Sequence, residues 1–166
     1  MSMSNSKGFT LLELLIALAL MAMLTVVIGE ILSIFIRSSA ESAAVAEVNH
    51  NLRQTISRIG AEVGKASSIN TPTPGSTGTT LKLDGDSSSC GSVGVKCFEL
   101  SGDKVIFKNG TAPSSDVTSG KVGVTNFEIT TLENGTKRSV LISLRIKYKS
   151  AFSAYEKEVR DVFAVN

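Results

Sequence analysis

The sequence predicts an α+β fold, in which one long N-terminal helix, apolar in its first half and amphipathic in its second, packs against an antiparallel β-sheet head. Three observations carry this. From Leu11 to Ile28 there are 18 residues, of which only Glu13 and Thr25 are polar. From Val45 to Val63 apolar residues recur at steps of three and four, the period of a helix face. From Val140 to Tyr148 they recur at every second position, the period of a strand.

The apolar run comes first. As a helix, Leu11 to Ile28 spans roughly 27 Å, close to the hydrocarbon core of a bilayer. A helix is the single segment that satisfies its own backbone there. Gly29 and Glu30 interrupt, and Ile31 to Ile36 carries the apolar character on to Arg37, so the transmembrane helix is expected over residues 9–36. Lys7 precedes the run and no acid does, which places the N-terminus in the cytoplasm and the bulk of the chain outside. The run is too long for a cleaved secretory signal, and no clean small-x-small site follows it.

Residues 37–66 continue as an amphipathic helix. Val45, Val48, Leu52, Ile56, Ile59 and Val63 form its apolar stripe, while Glu41, Glu47, Arg53, Arg58 and Lys65 take the other face. Gly60 and Gly64 weaken its end. Such a helix needs a partner for its apolar half, and a sheet is the simplest one. Residues 67–79, with Pro72, Pro74, Gly75 and Gly78 among Ser and Thr, read as a linker loop without strands.

The head, residues 80–166, contains six candidate strands: Thr80–Asp84, Val95–Leu100, Lys104–Lys108, Val122–Thr131, Arg138–Lys149 and Ala154–Val165. Leu100 to Lys104 reads as a tight hairpin, and Glu133-Asn134-Gly135-Thr136 as another. A meander of these strands laid on the amphipathic helix is the economical arrangement.

Composition narrows the function. The chain has 166 residues, one domain's worth, with a net charge of +2, one His, two Cys, no Trp and 5% aromatics. A zinc site or a Ser-His-Asp triad would have to be built on His50 alone. His50 lies between Asn49 and Asn51, off the apolar stripe, and reads as a solvated or contact histidine. No catalytic residue, metal ligand or cofactor is expected, and an enzyme is not. Lys137, Arg138, Arg145, Lys147 and Lys149 form a local basic set, but few aromatics accompany it and nothing else favours a nucleic-acid partner. Asp84-Gly85-Asp86 with Ser87 to Ser89 has a trace of a calcium loop, without the glycine and glutamate that complete one. Cys90 and Cys97 are expected to form a disulfide, since the head would face an oxidising compartment. The CxxC spacing of a redox active site is missing.

The flank of the apolar run is more specific. Lys7-Gly8-Phe9-Thr10-Leu11-Leu12-Glu13-Leu14-Leu15-Ile16-Ala17 resembles the prepilin signature of type IV pilins and type II secretion pseudopilins. The resemblance implies a leader, residues 1–8, removed between Gly8 and Phe9 by a membrane prepilin peptidase that also N-methylates Phe9, with Lys7, Gly8, Phe9, Thr10 and Leu11 forming the recognised junction. It implies that Glu13 pairs with the N-terminal amine of the mature chain or of a neighbour during assembly. The physics agrees: Gly8 offers no side chain to a peptidase reading extended backbone, and a carboxylate inside hydrocarbon needs a partner that the helix lacks before Arg37. Many major pilins carry a proline near position 30, whereas this chain has Gly29-Glu30 and no proline before Pro72, which leans toward a minor subunit. Glu30 marks the outer membrane boundary, and Arg37 lies on nearly the same helix face. The head is similar to minor pilins and J-type pseudopilins, with Val122 to Ile129 as the strand that enters a hairpin. The implied function is a structural minor subunit, a minor pilin or pseudopilin, in the cytoplasmic membrane and then in a helical filament serving pilus biogenesis or type II secretion. Its implied partners are the prepilin peptidase, other pilin or pseudopilin subunits, the inner-membrane assembly platform and the lipid bilayer. The alternative is a pilin-anchored adhesin or a DNA-uptake binding module of a competence pilus.

Overall fold

The structure, a computed structural model, describes residues 10–85, 89–134, 137–150 and 154–165. Helix α1 spans Leu11–Lys65. Nine strands follow: β1 Ile69–Thr71, β2 Thr77–Gly78, β3 Thr80–Leu83, β4 Lys96–Ser101, β5 Lys104–Asn109, β6 Ser115–Asp116, β7 Val122–Asn134, β8 Lys137–Tyr148 and β9 Glu156–Ala164. The layout is α+β, with every strand pair antiparallel. The chain divides into two compact units, Met1–Ala40 and Glu41–Asn166.

In the first unit, the described residues are helical from Leu11 onward and bury no large apolar side chain. Those between Leu11 and Ile36 are 52% to 78% exposed. Residues 41–65 behave oppositely. Val48, Leu52, Ile56, Ile59 and Val63 are buried against the sheets, as the helical spacing predicts. A fully buried aliphatic of this size contributes roughly 1.5–3 kcal/mol, so this stripe is a main source of head stability. The stripe begins differently from the sequence expectation: Val45 is half-buried and Ala44 takes the buried place, while Asn51 and Thr55 are buried beside it.

The strands do not form one meander. One sheet has the order β1-β3-β4-β5-β6, the other β2-β7-β8-β9. The expected linker also carries structure. Ile69 is buried in β1, its carbonyl accepts a hydrogen bond from Arg138 at 3.1 Å, and β2 pairs with β7. Thr71–Pro72 is a cis peptide bond and Pro72 is buried. The hairpins fall where the turn residues put them. Ser101 pairs with Lys104 around Gly102 and Asp103, with Gly102 at φ 62°, a left-handed conformation that glycine adopts without strain. Asn134 pairs with Lys137, and the linking Gly135 and Thr136 lie outside the described residues. The alternation in β8 is confirmed: Val140, Ile142, Leu144 and Ile146 are fully buried. Phe98 and Phe107 face each other across β4 and β5 with ring centroids 4.7 Å apart, and the Arg58 guanidinium lies 4.9 Å from the Phe107 ring centre.

The two helix glycines differ. A methyl group on Gly60 would lie 2.4 Å from Cε1 of Phe163 in β9, whereas one on Gly64 would meet nothing within 4 Å. Gly60 is a packing point between helix and strand as well as a weak helix former. Gly64→Ala is expected to stabilise the head by about 0.5–1 kcal/mol through helix propensity. Gly60→Ala is expected to destabilise it by about 1–2 kcal/mol, because the Phe163 ring must leave its place. Denaturant titrations of the two variants check this, and equal stabilisation by both would remove the packing role of Gly60.

Candidate functional site

The segment the sequence singles out begins at the edge of the described residues. Lys7, Gly8 and Phe9, and with them the expected cleavage junction, lie outside those residues. Thr10 and Leu11 lie within. Thr10 starts the helix: its carbonyl accepts hydrogen bonds from the backbone N–H groups of Glu13 at 3.1 Å and Leu14 at 3.2 Å, and its Oγ1 accepts from Glu13 N–H at 3.3 Å. Thr10-Leu11-Leu12-Glu13 therefore matches the S/T-x-x-E pattern of a capped helix start. The sequence reading treated Thr10 only as part of the cleavage motif, and the S/T-x-x-E spacing was the signal for its second role. Glu13 sits in the first turn, where a negative charge meets the positive end of the helix dipole. Among the described residues no cation lies within 4 Å of its carboxylate.

Beyond this turn the helix has the character of a membrane span. An 18-residue window of α1 reaches a mean hydropathy of 2.7 with none of it buried. The Thr25 hydroxyl donates to the Met21 carbonyl at 2.8 Å, so this polar group is satisfied within the helix. Glu30 and Arg37 are both exposed on α1. So much apolar surface is unfavourable in water, at roughly 25 cal/mol per Å², and requires lipid or other helices around it.

The remaining candidates belong to the second unit. Cys90 and Cys97 form a disulfide with their Cα atoms 5.8 Å apart. His50 is exposed. Asp84 has other work than a cation: its Oδ1 accepts from Ser67 N–H at 2.7 Å and from Ser67 Oγ at 2.9 Å. Burial works to raise the Asp84 carboxyl, but these bonds and the Lys96 ammonium outweigh it and hold it below the usual aspartate range. Asp86, Ser87 and Ser88 lie outside the described residues. Three members of the basic set are paired with acids. Arg145 is bonded to Glu158, Lys149 to Asp103, and Arg138 lies 3.7 Å from Glu133.

Glu158 is the most strongly held of these acids. Hydrogen bonds from Arg145, Arg160 and Ser143 bring its carboxyl down from 4.5 to about 2. A lowered folded-state value means that folding favours the ionised form. The stabilisation is therefore complete above about pH 4.5 and is lost as pH falls toward 2. Glu158→Gln is expected to be less stable than the parent at pH 7, with the two stability curves converging by pH 2. Unfolding titrations across that range check it, and parallel curves would remove Glu158 from the acid response.

A buried polar group went unrecognised in the sequence. Asn51, 1% exposed, accepts at Oδ1 from Ser119 N–H at 2.7 Å and donates through Nδ2 to the Glu47 carbonyl at 2.9 Å and to Glu47 Oε1 at 3.1 Å. Ser119 Oγ also donates to Glu47 Oε1 at 2.9 Å. The Ser119 hydroxyl leads the groups that hold the Glu47 carboxyl below its usual range.

Residues 3–29 match the family model described as the prokaryotic N-terminal methylation motif, the type IV pilin signature. Comparison of the chain with curated proteins and with solved structures finds no match. The match covers the segment built above, from the basic flank through the first turns of α1, and it supports a type IV pilin-like subunit anchored through its N-terminal helix.

Proposed function

We propose that this chain is a minor pilin or pseudopilin, a structural subunit of a type IV pilus-like filament. It waits in the cytoplasmic membrane with its N-terminus inside and its head outside. A prepilin peptidase cleaves it after Gly8 and methylates Phe9, and it then enters the filament through α1. The observation that carries this reading is the methylation motif over residues 3–29, set on a helix whose apolar side chains are uncovered from Leu11 to Ile36. The absence of proline before Pro72 supports a minor rather than a major subunit.

The chemistry asks little of the head. Cleavage removes Lys7 and leaves an amine at Phe9, the nearest positive charge available to Glu13 in a segment with no Lys or Arg before Arg37. In a filament core of low dielectric that pair fixes the axial register of one helix against its neighbour. Mass spectrometry of the protein from cells that carry the peptidase is expected to show loss of residues 1–8 and a gain of about 14 Da for one methyl group. An intact Met1 in those cells would overturn the reading.

A further inference from the structure

The last turn of α1 is anchored by the buried Val63 alone, since Gly64 and Lys65 are exposed and the last carbonyls of a helix lack helical partners. Its polar fastening comes from the connection between β3 and β4. At one end of that connection Asp84 takes the Ser67 N–H and hydroxyl, and its own N–H donates to the Ser68 carbonyl at 3.1 Å. At the other end Lys96 Nζ lies 3.0 Å from Glu62 Oε2 on the helix and 3.9 Å from Asp84 Oδ2. The two ends are also packed together: a methyl group on Gly85, at φ 73°, would lie 2.7 Å from Cγ2 of Val95. Lys96 is followed at once by Cys97, which is fully buried, and the disulfide returns from there to the half-exposed Cys90.

We propose that the Cys90–Cys97 disulfide is a redox-closed clasp that fastens the C-terminal end of α1 through Lys96 and Asp84. Closing it forms one sulfur–sulfur bond. The two thiols give up two protons and two electrons, and the electrons pass to the disulfide of a thiol–disulfide oxidoreductase, which leaves as a dithiol. Lys96 opens β4, where it pairs with Leu83 and Asn109, and the clasp closes the loop that leads into it, so Glu62 and Asp84 find their cation already in place. With the thiols reduced, the segment Gly91–Val95 is no longer closed into a ring, and the last turn of α1 opens more often. The rest of the head, held by the β7–β8–β9 sheet and the stripe from Val48 to Ile59, stays folded. That the clasp closes in the cell rests on the head lying outside the cytoplasm, as proposed above. The clasp itself does not.

The test is hydrogen exchange with peptide-level readout on the full chain in detergent micelles, oxidised and after reduction with dithiothreitol. Reduction is expected to lower protection about tenfold in residues 61–66 and 91–96 and to leave β7 and β8 unchanged. Lys96→Met, kept oxidised, is expected to lose protection in residues 61–66 with the disulfide intact, and reduction is then expected to add little there. Unchanged protection of residues 61–66 on reduction would overturn the clasp, and so would loss of protection throughout the sheets, which would make the bond a general staple. Full protection of residues 61–66 in Lys96→Met would overturn the route through Lys96. None of these outcomes bears on processing at Gly8, which the N-terminal mass decides separately.

Discussion

Glu13→Ala is expected to reach the membrane in normal amounts and to fall by at least about tenfold in the filament fraction. The two halves of this result have different causes. Replacing a carboxylate by a methyl makes the first turns of α1 more apolar, so insertion improves if anything. The junction at Lys7-Gly8-Phe9 is untouched and processing continues. The fold of the head is also untouched, because Glu13 lies in the first unit and the buried stripe that carries head stability starts at Ala44. On the proposed pairing the amine of Phe9 loses its counter-charge, and an unpaired charge is expensive wherever helices displace water and lipid headgroups. Without that pair the register of neighbouring helices rests on apolar contacts alone, which tolerate sliding. Glu13→Gln separates charge from shape. It keeps the size and an acceptor, and it is expected to assemble as poorly as the alanine variant if charge is what matters. Loss of the first-turn acid also weakens the helix start, by roughly 0.3–1 kcal/mol, too little to account for a tenfold loss of filament beyond its upper limit. The measurement is the ratio of membrane-bound to sheared or cross-linked filament protein. Normal filament recovery of Glu13→Ala would remove the assembly role and leave the residue as a helix-capping acid beside Thr10.

The long-period features of this chain are legible without a structure because each rests on one repeated physical requirement. The run from Leu11 to Ile28 must be covered by something apolar, and the structure leaves it uncovered. The residues Val48, Leu52, Ile56, Ile59 and Val63 must face one side, and they are buried together. Alternation in β8 sets which side chains point inward, and these are the buried ones. Alternation gives a face but no partner, which is why one meander was expected and two sheets are observed. Strands β1 and β2 carry no pattern because they are three and two residues long. They exist through what others supply, Arg138 for the Ile69 carbonyl and β7 for Thr77 and Gly78. Gly60 reads as a helix weakness until Phe163 is placed over it. The basic set from Lys137 to Lys149 resembles a patch in sequence, yet Arg138, Arg145 and Lys149 are each drawn to an acid from elsewhere in the head, such as Glu158 opposite Arg145. At the candidate site the motif over residues 3–29 was legible because it is a run of local sequence. Asn51 was not, because an asparagine next to His50 looks like solvent-facing helix.

Asn51→Ala is expected to destabilise the head by about 2–3 kcal/mol, roughly 10 °C in melting temperature for a unit of this size. Asn51 is 1% exposed and its hydrogen bonds are directional and matched: the amide oxygen takes the Ser119 N–H, and the amide nitrogen gives to the Glu47 carbonyl and carboxylate and, at 3.3 Å, to the Ser119 hydroxyl. Removing the side chain leaves the half-buried Ser119 N–H without its acceptor, while Glu47 Oε1 keeps the Ser119 hydroxyl, and an unsatisfied group costs more than a bond is worth. Asn51→Leu would restore apolar volume and still orphan the Ser119 N–H, so it is expected to destabilise about as much as alanine. Asn49 provides the contrast. Its side chain donates to the Val45 carbonyl at 2.8 Å and accepts from Lys157 at 2.8 Å, but Lys157 is exposed and water can replace it. Asn49→Ala is therefore expected to cost less than about 1 kcal/mol. The pair also tests where the helix is fastened. The Asn51 network joins α1 to the segment that enters β7 at Val122, whereas the Asn49 bond reaches the terminal strand β9. Thermal melts of both variants, with a double-mutant cycle between Asn51→Ala and Ser119→Ala, measure the coupling directly. Additive losses in that cycle would show that the Ser119 hydroxyl takes no part in what Asn51 contributes, since Ser119→Ala keeps the N–H that bonds the amide oxygen.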